Sequence, residues 1–293
     1  MAENDWLAEQ FEESRGHLRG VAYRMLGSLS EADDAVQECW LRLSRTDTTG
    51  VENLRGWLTT VVGRVCLDML RSRQSRREEP LEAPGKEAPA PVAHVADPES
   101  EALLADSVGF ALLVVLDRLK PAERVAFVLH DLFDLPFHDI ARIAGRTPEA
   151  TRQLASRARQ RVRGVTAVPK TELAKQRSVV DGFLAALRAG DAEKLVTLLD
   201  PDFSVHADAA AFPGGLPEIH GAAAWAKQAL QTARGAKFAR PALVDGTVGV
   251  VIAPRGKLFR VLQLTFRDGK IAHMEVVGDP ERLGRLDLAV PGE

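Results

Sequence analysis

Residues 136–163 read PFHDIARIAGRTPEATRQLASRARQRVR. Pro136 opens a short helix whose apolar residues Ile140, Ala141 and Ala144 recur at helical spacing, and Gly145 stops it. Thr147 is placed to cap the next helix. Pro148 takes its first position, where a missing N–H costs nothing. Two helices joined by a few residues with a glycine in the turn predict a helix-turn-helix. The second helix carries Arg152, Arg157, Arg159, Arg161 and Arg163 against one acid, Glu149. With Leu154, Ala155 and Ala158 turned inward, Arg152, Gln153, Ser156 and Arg157 project outward. Arg and Gln suit base edges in the major groove, and the trailing arginines, Arg159 included, suit phosphates. A merely solvated basic helix would share this composition, but the capped helix-turn-helix in front of it favours DNA binding.

Upstream, residues 11–73 have helical periodicity. Leu18, Val21, Ala22, Met25 and Leu26 share one face. Ser30 is placed as an N-cap with Asp33 in the position a capping box would fill. The next helix turns Ala35, Val36, Trp40 and Leu43 inward. Its run Glu31-Ala32-Asp33-Asp34-Ala35-Val36-Gln37-Glu38-Cys39-Trp40 sets acids and an amide on the opposite face. A polar loop, Ser44 to Asn53, leads to a third helix with Leu54, Trp57, Leu58, Val61, Val65 and Leu70 at helical intervals. That helix carries Arg64 and ends in Arg71, Arg73, Arg76 and Arg77. The basic end fits phosphate contacts, and it equally fits a solvated helix C-terminus complementing the dipole. Between the helical stretches, Pro80, Pro84, Pro89, Pro91 and Pro98 rule out a long helix and mark a linker.

Downstream of Pro169 the pattern changes. Leu173, Val180, Phe183, Leu184 and Leu187 make an amphipathic helix stopped at Gly190, and Asp191 caps a shorter one. Phe203, Val205 and Ala207 alternate like a strand, and 222–232 reads as helix. Four strand-like runs follow, near 237–244, 247–253, 257–267 and 270–277. Asp245-Gly246, Pro254-Arg255-Gly256 and Asp268-Gly269 separate them as hairpin turns. The order predicts an antiparallel sheet with helices on one face.

Composition narrows the function class. The 293 residues suffice for two or three domains, and a net charge of −3 hides the local basic helix. Cys39 and Cys66 form no ligand cluster or disulfide framework, which suits a reducing cytoplasm. The acidic, polar start excludes a signal peptide, and no apolar run is long enough to span a membrane. His206, Asp208, His220, His273 and Glu275 are titratable groups near strands or loops. Their spacing supports no metal site, and no cofactor or catalytic residue is expected.

The run 31–40 resembles the helix by which sigma factors grip the coiled coil of the largest RNA polymerase subunit. Residues 11–77 resemble a sigma-two domain and 103–163 a sigma-four domain. The wording of 150–159, ATRQLASRAR, is close to the recognition helix of the SigJ-like subfamily of extracytoplasmic-function factors. The C-terminal part resembles the SnoaL-like cone these factors carry, which stands in for a separate anti-sigma protein. Their Asp-Gly-Gly-Gly signature reads Asp208-Ala209-Ala210-Ala211 here, and their Asn-Pro-Asp-Lys-Leu reads Asp279-Pro280-Glu281-Arg282-Leu283. Their linker Trp-Leu-Pro-Glu-Pro is absent, with only Glu79-Pro80-Leu81-Glu82 nearby.

The resemblance implies a multidomain chain. Two all-α domains, sigma-two (1–77) and helix-turn-helix sigma-four (103–165), flank a linker (78–102). An α+β cone with a curved antiparallel sheet follows (170–285). It implies core polymerase as a partner through Asp33, Asp34, Gln37 and Glu38. It further implies promoter DNA through Arg64, Arg71, Arg73, Arg152, Gln153, Ser156, Arg157 and Arg159, covering the −10 and −35 elements. Loop 44–53 would capture a flipped base. Asp208, Asp279, Pro280, Glu281, Arg282 and Leu283 would be regulatory, through contact of the cone with the sigma domains. Two other readings stand beside it. One is a helix-turn-helix regulator whose cone binds a small ligand, and the other a cyclase- or isomerase-type enzyme fused to DNA-binding helices.

Overall fold

The structure, a computed structural model, describes residues 2–46, 51, 53–78, 109–166, 168–212 and 219–291. Linker residues 79–102, with their Glu79-Pro80-Leu81-Glu82 stretch, lie outside the described residues. So do 47–50 and 52 of the polar loop, and the side chains of Arg77 and His220. The chain forms two compact units. One joins the N-terminal helices to Leu116–Arg159, and the other joins Gly109–Val115 to everything from Gln160 onward.

In the first unit α1 (Ala2–Leu26), α2 (Leu29–Leu43) and α3 (Leu54–Glu78) pack on one another. Leu18, Val21, Met25, Val36 and Leu58 are essentially inaccessible, as the periodicity predicts, whereas in α3 Val62 is buried and the expected Val61 only half-buried. The cap of α2 differs from the expected one. Gly27, at φ 74°, ends α1, and the Ser28 hydroxyl accepts from Glu31 N at 3.5 Å. Capping at Ser28 rather than Ser30 lets α2 begin with Leu29, whose side chain is buried. Cys39 and Cys66 are free and buried, and burial pushes the Cys39 thiol up to about 12.

After α4 (Phe110–Asp117), α5 (Pro121–Phe127) runs into a π-turn, Val128–Leu132. The sequence pattern did not reveal this turn, because one inserted residue leaves apolar spacing nearly unchanged. The helix-turn-helix forms as read. In α6 (Phe137–Ala144) the last turn closes on Gly145, left-handed at φ 66°. For α7 (Pro148–Arg163), Thr147 Oγ1 accepts from Ala150 N at 3.2 Å.

The second unit contains α8 (Lys170–Ala189), α9 (Ala192–Leu198), α10 (Ala222–Thr232) and α11 (Pro280–Arg285). Its strands are β1 (Leu199–Ala207), β2 (Ile219–His220), β3 (Ala239–Val244), β4 (Thr247–Ile252), β5 (Arg260–Arg267), β6 (Lys270–Val277) and β7 (Leu288–Ala289). The order across the sheet is β2-β1-β6-β5-β4-β3-β7. Asp245-Gly246 and Asp268-Gly269 make the expected tight turns, all four residues at positive φ. The sheet is mixed, which corrects the antiparallel expectation: β1 runs parallel to β6, with Val205 opposite Met274. The meander starts on the far side of the sheet, so its last strand returns beside β1 in the same sense. Val180, Phe183, Leu184, Phe203, Leu264 and Met274 fill the space between sheet and helices. Trp225 packs 5.6 Å from Phe183 and 5.3 Å from Phe203.

Gly249 marks a close approach between strands. A Cβ there would stand 2.6 Å from the Leu262 carbonyl and 2.7 Å from a Val244 methyl. Gly249→Ala is therefore expected to cost about 1–3 kcal/mol, read as a lower denaturation midpoint of the α+β unit.

Candidate nucleic-acid and polymerase interface

Thr151, Ala155, Ala158 and Val162 form the buried stripe of α7, and Leu154 is half-buried. Arg152, Gln153, Ser156 and Arg157 are consequently exposed together, on the face the spacing predicts. Arg152 reaches Glu149 at 3.5 Å and lies over the Phe137 ring, 5.6 Å from its centroid. His130 stacks 3.9 Å from that same ring. Arg159 departs from this group. Its Nε donates to Asp131 at 2.5 Å, tying α7 to the π-turn. Its phosphate role in the sequence reading overlooked that acid, since a carboxylate 28 residues upstream leaves no local pattern.

On α2, Asp34 and Gln37 are exposed and Glu38 bonds Arg42 at 2.9 Å on the same helix. Asp33 is gripped by Arg19 of α1 through contacts of 2.6 and 3.1 Å. The free part of the acidic face is thus centred on Asp34 and Gln37, while Asp33 also braces two helices.

Arg64, Arg71 and Arg73 of α3 are each engaged. Arg64 donates to the Arg142 carbonyl at 3.0 Å and Arg71 to the Ala144 carbonyl at 3.4 Å. Arg73 donates to the Leu26 carbonyl at 3.3 Å and to Glu31 at 2.5 Å. At the other end of α3 a cleft of about 390 Å³ is lined by Arg42, Arg45, Thr46, Trp57, Thr60 and Arg64. Cations around a half-buried indole suit an unstacked base and its phosphate. The sequence reading weighed Trp57 as a base-stacking platform but favoured the core, and gave no sign of Arg42 and Arg45.

In the α+β unit the two signature segments meet. The Asp208 carboxylate accepts from Ala211 N (2.8 Å), Gly278 N (3.0 Å) and Asp279 N (3.0 Å). Asp279 in turn caps α11 by accepting from Arg282 N at 2.9 Å. Arg282 bonds Glu275 and approaches Asp208 to 3.5 Å. Pro280 fills the first turn, Leu283 is buried and Glu281 is exposed. Burial opposes ionisation of Asp208, but the N–H groups of Asp279, Ala211 and Gly278, with Arg282 beside them, outweigh it and hold the carboxyl below its ordinary range. An acid–base catalyst needs the opposite shift. A second cleft, about 430 Å³, is lined chiefly by polar groups such as Gln263, Thr265, His273 and Glu275. His273 is hydrogen-bonded to Ser204 at 2.8 Å. No group of three or more metal-ligating side chains occurs among the described residues.

Residues 10–76 match the family described as Sigma-70 region 2, and residues 110–162 match Sigma-70, region 4. The chain is similar to the ECF RNA polymerase sigma factor SigJ of Mycobacterium tuberculosis (strain ATCC 25618 / H37Rv). The two are 36% identical over 295 residues, spanning 93% of this chain and 92% of that protein. A probable ECF RNA polymerase sigma factor, SigI, of Mycobacterium tuberculosis (strain CDC 1551 / Oshkosh) is 39% identical over 210 residues. That match spans 71% of this chain and 72% of SigI. The crystal structure of Mycobacterium tuberculosis SigJ matches with a TM-score of 0.46 at 32% identity, covering 94% of this chain and 98% of that one.

Asp208→Asn keeps the shape but sets an amide N–H against backbone donors. We expect a loss of about 1–3 kcal/mol in the α+β unit at neutral pH. A lowered carboxyl pKa stabilises the fold above the ordinary aspartate range, and that contribution is lost as pH falls through the folded value. The gap between wild type and Asp208→Asn should therefore close in acid, below about pH 4, when denaturation midpoints are followed against pH.

Proposed function

This chain belongs to the extracytoplasmic-function RNA polymerase sigma factors, and we propose that its exposed α7 face reads the −35 element while the α2 face holds core polymerase. As a sigma factor it directs promoter recognition and the initiation of transcription. Core polymerase and promoter DNA are accordingly its partners, and the work is done where the polymerase is, in the cytoplasm. Among the described residues no helix is long and apolar enough to cross a membrane.

The observation that carries the α7 assignment is the joint exposure of Arg152, Gln153, Ser156 and Arg157 on a capped helix. Arg152 and Gln153 take base edges, and Arg157 meets the backbone. Arg159 acts through its tie to Asp131, keeping α7 at a fixed angle. Asp34, Gln37 and Glu38 face a basic or polar polymerase surface. The cleft between Arg42, Arg45, Trp57 and Arg64 receives a base flipped out of the −10 element, with Arg64 and Arg71 serving nearby phosphates. The α+β domain modulates output through the 278–283 segment that Asp208 secures.

Arg152→Ala is expected to weaken promoter binding by about 1–3 kcal/mol and relax preference at one −35 position. Uniform weakening across −35 variants would make it a phosphate contact. Changing Gln37 to Ala and Glu38 to Lys together should weaken core association by about 2–5 kcal/mol. Undiminished co-purification with core polymerase would remove α2 from that interface. For the α+β domain, Asp208→Asn is expected to shift run-off transcription severalfold with promoter preference unchanged. Unaltered output would leave the domain without this regulatory role.

A further inference from the structure

A long side chain that must read a base loses part of the contact's free energy in becoming ordered, unless something holds it ready. On α7, Arg152 is exposed, so its own helix does little to fix it. Two neighbours reach it. Glu149, one turn earlier, meets its Nη1 at 3.5 Å. The Phe137 ring, at the start of α6, lies under its guanidinium, 5.6 Å from Cζ to the centroid.

The two holds differ in what they leave free. The carboxylate occupies an N–H edge, the part that forks onto a base in the major groove. Its side chain is also 73% exposed, so solvent and salt screen the pair. The ring occupies the planar face instead, and every N–H stays available. Only the second kind of contact can persist while Arg152 reads a base.

The ring is itself fixed. His130 of the π-turn stacks on Phe137 at 3.9 Å with 33° between the planes. Asp134, left-handed at φ 54°, reverses the chain after that turn, so Leu135 comes back against it. The Leu135 N–H donates to the Leu129 carbonyl at 2.9 Å, and the Leu135 carbonyl accepts from His130 Nδ1 at 3.0 Å. His130 is thus anchored by its edge and stacked by its face. The next residue, Asp131, holds Arg159 further along α7. One irregular turn reaches the recognition helix twice, through a ring stack and through an ion pair.

We propose that Phe137 is a positioning residue for promoter reading: held by His130 and lying under Arg152, its ring aims the guanidinium edge at one base of the −35 element and sets discrimination there. The inference rests on the reading of Arg152 as a base contact. It goes further in assigning that selectivity to a residue outside the recognition helix. On DNA the Glu149 carboxylate lets go of the edge the base needs, and the Phe137 contact stays.

The test uses holoenzyme assembled from the full chain and core polymerase, with duplexes carrying each single substitution across the −35 element. Leu at position 137 keeps apolar bulk but has no π face, whereas Tyr keeps the face. Phe137→Leu should lower discrimination about threefold to tenfold at the position that Arg152→Ala also relaxes. Other positions and the salt dependence should match wild type, and Phe137→Tyr should restore the lost discrimination. In an Arg152→Ala background Phe137→Leu should change nothing further, as for two residues acting through one contact. Glu149→Gln, an exposed change that does not touch the ring, should leave discrimination intact; a loss there would make the carboxylate the aiming group and overturn the proposal. Discrimination lost in Arg152→Ala but kept in Phe137→Leu overturns the positioning role and leaves the reading of Arg152 standing. Uniform weakening of every duplex by Arg152→Ala overturns that reading and this inference with it. Relaxation at several positions in Phe137→Leu, additive losses in the pair, or no restoration by Tyr makes Phe137 a packing residue of the helix-turn-helix and equally overturns the proposal.

Discussion

A helix C-terminus carries carbonyls that its own backbone cannot satisfy, and the helical unit is organised around meeting that demand with arginine. Arg73 answers Leu26, Arg124 answers Arg24, and Arg64 and Arg71 answer Arg142 and Ala144. The guanidinium suits the task because it offers several donors at the end of a long apolar stem, and because its charge complements the negative end of the helix dipole. The cost is concentrated at Arg124, where burial disfavours the charge and Asp117 offsets only part of the penalty. A bias toward arginine in such a chain thus has a structural outlet as well as a nucleic-acid one.

This dual use explains which parts of the candidate interface were legible in the sequence. The face of α7 was, because a cap, a glycine stop and an apolar stripe define a helix and its outward side from local spacing alone. The strand runs of the α+β unit were legible for the same reason, their Asp-Gly turns being local. What the spacing could not give were partners distant in sequence. Asp131 lies far upstream of Arg159, and the acceptors of Arg64 and Arg71 are backbone carbonyls, which every residue has and no sequence advertises. The parallel pairing of β1 with β6 escaped likewise, since a period of two fixes faces and not neighbours. Ser28 displaced Ser30 as the cap because burial of Leu29, a tertiary effect, decided between two serines with equal local claims.

The α+β unit treats its charged residues in the same structural manner. Asp208, the most suggestive acid of that unit, has its carboxylate filled by three backbone N–H groups. Gly278 is held against it so closely that a Cβ would stand 2.6 Å from the backbone of Ala211. Two segments seventy residues apart are thereby fastened into one corner. The acid is a fastener, joining the end of β1 to the segment that opens α11.

The placement of β6 between β1 and β5 also sets a timetable. The sheet's first long strand cannot find its central neighbour until Val277 has been synthesised, so the domain is dominated by distant pairings, which close slowly. Helices through Arg163 emerge from the ribosome first. At ordinary elongation rates of about 5–20 residues per second they precede the last long strand by on the order of ten seconds. Each newly made molecule therefore passes through an interval in which its helical regions exist without a finished C-terminal domain. Any restraint that domain supplies begins only once its last long strand has been made.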